Sequence, residues 1–182
     1  MDAGPILLQE PLPIAPSDDY LSLEPRLATL GASLLVRALA EQPEAQPQND
    51  ADATYSKRIT REDAQIDWSQ PAETIWNQVR AYRAWPQAFT QFNGQQLKVL
   101  RAWPISDEDL PRGEELSSTP RGEKNSAPGM VGILNESPVV FTGHDRLRLD
   151  EIQLEGKRAQ SGGEFLRGYP RLVDAQLGRS MA

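Results

Sequence analysis

The chain has 182 residues, with 26 acidic against 19 basic side chains, one histidine and no cysteine. That length suffices for one well-buried domain or for a small domain plus part of another, and the lack of cysteine excludes disulfides and thiolate zinc sites. No basic region precedes an apolar run at the N-terminus, no stretch approaches the roughly 18 apolar residues of a membrane span, and a net charge of −7 argues against indiscriminate coating of nucleic acid, so the expectation is a soluble, cytoplasmic chain with no membrane partner.

Ile6, Leu7 and Leu8, between Pro5 and Pro11, read as a short buried strand. A helix follows, capped by Ser17 or Asp18, with Leu21, Leu23, Leu27, Leu30, Leu34, Leu35 and Ala38 at helical spacing up to about Leu39. Gly31 inside it is tolerated at a cost of about 1 kcal/mol. Glu41 to Ala53, rich in Gln, Pro, Asn and Asp and without periodicity, reads as a linker. Thr60 then precedes acidic residues suited to a first helical turn, and the spacing predicts a short helix ending near Asp67-Trp68. A stronger helix is predicted from Ser69 or Gln70, with Pro71 in its first turn and Ile75, Trp76, Val79 and Tyr82 as its apolar stripe. Trp85-Pro86 stops it.

Beyond this point the period changes to two. Ala88 to Phe92 and Leu97 to Trp103 read as a hairpin about the turn Asn93-Gly94, a pair that accepts positive φ. Residues 105–127 are polar and irregular and read as a mobile loop. Three more strands are predicted around Met130–Leu134, Val139–Thr142 and Leu147–Leu154, which together suggest a small barrel or sandwich. Charge is divided along the same lines. Residues 1–50 carry eight acidic and two basic side chains and residues 105–127 six and three, whereas residues 51–104 carry seven basic and five acidic, and residues 128–182 seven of each. The middle and the end are therefore the parts able to present a basic face.

The series TYSKRITREDAQIDW, IWNQVRAYRAWPQAF, NGQQLKVLRAW, PGMVGIL, VVFTG, LRLDEIQLEGKR and EFLRG, from about Thr54 to Gly168, resembles the C-terminal half of the methionyl-tRNA formyltransferase family. The stretch DAGPILLQEPLPI, with the helix through Leu39, is similar to the last strand and helix of that family's catalytic domain. The resemblance implies an α+β chain: residues 1–40 as the edge of a truncated α/β, Rossmann-like domain, residues 41–53 as linker, and residues 54–182 as an OB-like open β-barrel with a helical entry. It implies transfer of a formyl group from 10-formyltetrahydrofolate to the amino group of initiator methionyl-tRNA, by an enzyme that is monomeric when full length and uses no metal. It also implies that this chain is a fragment, inactive alone, whose strand Pro5 to Leu12 and following helix expose apolar faces shaped for an absent sheet.

Acyl transfer requires a base for the attacking amine and donors for the tetrahedral oxyanion. The family uses Asn, His and the carboxylate of an Asp-Thr-Gly motif, and Asp2 stands at the carboxylate's place, with Ala3 where the family has Thr. His144, the single histidine, reads as a turn residue between strands and cannot build a metal site by itself. Gly162-Gly163 lacks the spacing of a phosphate-binding loop. The residues proposed to meet tRNA are Lys57, Arg58 and Arg61, which the resemblance places on the tRNA-facing side between domains, with Arg146 and Arg148 on alternating positions of one strand and Lys157 and Arg158 forming a second patch. Glu62, Asp63, Asp150 and Glu155 could instead offset them as solvated charges. Arg80 is the remaining candidate, structural if it lies beside a carboxylate such as Asp67 and tRNA-facing if exposed. Trp76, Tyr82, Trp85 and Phe89 read as packing around the joint between helix and barrel. Two other functions are compatible with these residues: a non-catalytic RNA-binding module with an OB-like barrel, and a formyltransferase acting on an amino sugar.

Overall fold

The computed structural model describes residues 3–106 and 127–178 and divides into two units, Met1–Ile59 and Thr60–Ala182. The first unit is built on helix α1 (Tyr20–Glu41). Its N-cap is Asp19, whose carboxylate accepts from the Ser22 amide at 3.0 Å while the Ser22 hydroxyl accepts from the Asp19 amide, a reciprocal cap that satisfies two orphan donors. The cap is thus neither Ser17 nor Asp18, the two residues expected there; Asp18 instead accepts from the Ala15 amide at 2.8 Å and from Arg26 at 2.7 Å. These bonds, the amide first, hold its carboxyl below the usual range. Pro25 lies inside the helix, a turn after the cap, where proline costs about 3 kcal/mol. Among its residues none is buried: of the stripe expected from the spacing, Leu21, Leu27 and Leu35 are exposed and Leu23, Leu30, Leu34 and Ala38 only partly covered. The predicted buried strand is reduced to one antiparallel bridge, Ile6 with Gln46. Leu7 is half exposed, because a single bridge leaves a strand without a sheet to cover it.

The second unit is a curled antiparallel sheet with two helices. Its strands are β1 (Phe89–Phe92), β2 (Gln95–Ile105), β3 (Val131–Leu134), β4 (Ser137–Phe141), β5 (Arg146–Leu154) and β6 (Gln160–Ser161). They run in the order β1-β2-β5-β4-β3, and β6 pairs with β5. The β1–β2 turn is Asn93-Gly94, both at positive φ (50° and 75°), the pairing that matches the right-handed twist of a hairpin. The segment after residue 172 bridges the two edges: Val131 donates to Ala175, and Gly178 donates to Gln91 of β1 at 3.1 Å. That bridge makes the sheet an open half-barrel.

Helix α2 (Ala72–Ala81) precedes the hairpin and α3 (Gly162–Gly168) follows β6. Ile75 and Val79 of α2, Phe165 of α3, and Leu97, Val99, Leu147, Leu149 and Ile152 of the sheet share one buried cluster. Pro71 is the N-cap of α2 rather than a first-turn residue, and the Ala72 amide donates to the His144 carbonyl at 3.0 Å. The short helix expected after Thr60 is only a 3-10 turn, Glu62–Ala64, because the chain then extends and the Ile66 amide donates to the Phe89 carbonyl at 2.8 Å. Trp85-Pro86 is a cis peptide in the turn between α2 and β1. The predicted loop over 105–127 lies, apart from its ends, outside the described residues.

Candidate nucleic-acid interface

The site grows out of the pairing of β2 with β5. Leu97 faces Leu154, Val99 faces Ile152 and Ala102 faces Leu149 on the core side. Leu100 and Asp150 are both skipped in the register, which shifts between Val99, Arg101 and Ala102. Paired bulges reverse the alternation on both strands at once, so Leu97 and Val99 before them and Ala102 after them lie on one buried face, and at the strand's end Ile105 is buried as well. The other face therefore carries the opposed pairs Lys98 with Gln153, Arg101 with Glu151, Trp103 with Arg148, and Ile105 with Arg146, since directly opposed residues share a face.

Helix α2 and the turn after it add to this face. The Trp76 ring meets Trp103 edge to face, with centroids 5.2 Å apart and planes at 64°. The Arg80 guanidinium lies 4.0 Å from the centroid of Trp76, a cation–π contact, and donates to the Asn77 side-chain oxygen at 2.5 Å. Arg83 donates to Glu151 at 2.8 Å, and Lys98 to the Gln87 side-chain oxygen at 2.8 Å. Arg148 is paired in two-pronged fashion with Asp150, at 2.5 and 3.3 Å, and Arg146 lies 5.0 Å over Phe141. Among the described residues, six cationic groups, Arg80, Arg83, Lys98, Arg101, Arg146 and Arg148, thus stand with two carboxylates, Asp150 and Glu151. The balance of these described groups is positive although the chain as a whole is acidic, and the indoles of Trp76 and Trp103 lie among them.

Among the sequence candidates, Arg80, Arg146 and Arg148 are brought to this face. Arg80 has Trp76 and Asn77 as neighbours rather than Asp67. The Asp67 carboxylate accepts from the Ser69 hydroxyl at 2.6 Å and from the Gln70 amide group at 3.1 Å, and these bonds, Ser69 first, hold it below the usual range. Lys157 and Arg158 are exposed in the turn between β5 and β6, about 20 Å along the strand from Arg148. Lys57 and Arg58 are exposed residues of the first unit, and Arg61 is an exposed residue at the start of the second. Asp2 lies outside the described residues. His144 is exposed in the turn from β4 to β5, its Nδ1 3.1 Å from the Asp145 carboxylate. Lys98, Arg101, Arg83 and Trp103 are face residues that the sequence reading passed over. Alternation along β2 is the signal that carries Trp103, but an unbulged reading of 97–103 puts it on the same face as buried Leu97 and Val99.

An open antiparallel barrel with a helix leading in, a short helix at its far end and a basic, aromatic face is the class of domain these features define. Residues 58–170 match the family model described as formyl transferase, C-terminal domain, and the chain belongs to that family. Two relatives are proteins named methionyl-tRNA formyltransferase. The one from Thermosynechococcus vestitus is 42% identical over 97% of this chain and 55% of its own length, and the one from Gluconobacter oxydans is 37% identical over 93% and 51%. The chain spans about half the length of these curated relatives. In fold it is similar to a variant of HypX from Aquifex aeolicus, with a TM-score of 0.61 and 16% identity over 94% of this chain and 30% of that one.

Proposed function

We propose that this chain is the tRNA-engaging portion of a methionyl-tRNA formyltransferase, an enzyme that passes a formyl group from 10-formyltetrahydrofolate to the amino group of methionine carried by the initiator tRNA. The observation that carries the reading is a cationic, indole-bearing face, on β2, β5 and α2, within a chain whose relatives bear that name. Guanidinium and ammonium groups spaced along a strand suit the phosphates of a folded RNA, and their contribution falls as salt rises. The enzyme works as a monomer in the cytoplasm on this reading, and no described helix is long and apolar enough to cross a membrane.

The folate donor is a co-substrate, and two open clefts of the second unit do not suit it. One, of about 530 Å³, is lined by residues including Gln65, Asp67, Trp68 and Gln176, and the other, of about 400 Å³, by residues including Asp63, Asp67, Asn77 and Tyr82. Neither has a cation among its described lining residues for the donor's anionic glutamate tail. The single histidine, His144, sits exposed in a turn with a carboxylate beside it, a poor place for a donor to a developing oxyanion. Acyl transfer thus falls to groups other than these, and the chain supplied with formyl-folate and methionyl-tRNA is expected to bind the RNA without turning it over. Turnover by the chain alone would contradict this division of labour, and absence of tRNA binding at low salt would contradict the reading as a whole.

A further inference from the structure

Phosphate binding accounts for the cations of the face but not for Trp103. Trp103 as a residue is 41% exposed, which leaves roughly 100 Å² of it in water. It is also held still: its neighbour Trp76 lies edge to face with it and is in turn stacked by Arg80, so little freedom remains to be lost when a partner covers it. Arg148 stands directly across from it on β5, and Arg101 two residues before it on β2.

We propose that Trp103 is a stacking platform for an unpaired RNA base, with Arg101 and Arg148 at the phosphates on either side of that nucleotide. The inference rests on the tRNA reading above and adds to it which part of the RNA meets this face. A base inside a duplex offers only its edges, whereas an unpaired base offers a π-face to an indole. Cations on both sides of an exposed ring favour a polyanion over an apolar peptide. The platform therefore selects a loop or a single-stranded end of the tRNA, while the remaining cations hold the backbone regardless of sequence.

The test uses the full chain and two probes, a short single-stranded RNA bearing 5-bromouridine and an RNA hairpin with the same number of phosphates. Trp103→Leu is expected to weaken binding of the single strand by about ten-fold, to leave its salt slope unchanged, and to alter hairpin affinity by less than about two-fold. Trp103→Phe recovers most of the loss. Ultraviolet cross-linking of the unmodified chain, which does not depend on how the variants fold, is expected to attach the bromouridine to the peptide containing Trp103. Equal losses for both probes, an unaffected single strand, or cross-links confined to other peptides would overturn the platform while leaving the tRNA reading intact. Failure of the unmodified chain to bind either probe at low salt would instead overturn the tRNA reading, and the platform with it.

Discussion

Arg148 illustrates how a single side chain is shared between folding and binding. It gives both prongs of its guanidinium to Asp150, yet stands opposite Trp103 on the accessible face. The pair is only partly covered and links neighbours on one strand, and surface pairs contribute little to stability, so Asp150→Asn should leave the fold intact and release Arg148 toward RNA. An increase in tRNA affinity of about two- to five-fold is expected, read by fluorescence titration at fixed salt, and a decrease would show that Asp150 is needed to aim the guanidinium. Trp68 presents the opposite case. It is buried and its indole N–H donates to Thr90 Oγ1 at 3.0 Å. Thr90→Val keeps the shape but strands the donor, at a cost of about 1–3 kcal/mol. A urea unfolding midpoint unchanged by that substitution would count against the bond.

At the level of elements, α3 shows what local signals do and do not reveal. Two glycines open it, and glycine disfavours helix, so composition hides it and the local sign of it is the spacing of Ser161 and Glu164. The reason for Gly162 is tertiary: a β-carbon there would run into the Leu149 carbonyl and the Pro138 ring. Gly162→Ala is accordingly expected to destabilise the unit by about 1–3 kcal/mol, measured by thermal or denaturant unfolding, and a neutral result would mean that α3 can shift freely. Its start is fixed by a reciprocal cap in which the Ser161 amide donates to the Glu164 carboxylate at 3.1 Å and the Ser161 hydroxyl accepts from the Glu164 amide at 3.3 Å. The bond from the Ser161 backbone, the largest contribution, holds the Glu164 carboxyl below the usual range. A carboxyl with a lowered folded pKa stabilises the native state above its ordinary value, and that contribution is lost as pH falls through the lower folded value. The cap should therefore loosen only at the acid end, which the Ser161 amide chemical shift followed by NMR would show. Titration of that amide above the ordinary glutamate range would contradict the cap. The β1–β2 hairpin was legible for the contrary reason, because Asn93-Gly94 specifies its turn locally. The α2 stripe was legible too, since Ile75 and Val79 face the core at helical spacing. The basic face was only half legible: Arg146 and Arg148 could be read from alternation on one strand, but their meeting with Trp103 depends on the paired bulges at Leu100 and Asp150, which no single-strand pattern contains.

Across the whole molecule, the two units differ in how they are held together. The second buries a continuous core from α2 through the sheet to α3, whereas α1 in the first buries none of its residues and leaves Val36 and Leu39 about two-thirds exposed or more (67% and 71%). Segments with few buried contacts open at low free energy, so limited proteolysis should cut within residues 20–41 before it cuts the second unit, and mass spectrometry of the first fragments would report it. Early protection of α1 would indicate that its apolar stripe is covered in solution. The central claim, that the barrel binds tRNA through its cationic face, is met most directly by titrating the full chain with initiator tRNA across a series of salt concentrations, alongside Arg148→Gln. The account predicts affinity that falls steeply with salt, with the slope of log K against log salt reduced by about one in the variant. Binding that is independent of salt, or a variant indistinguishable from the unmodified chain in both affinity and slope, would contradict it.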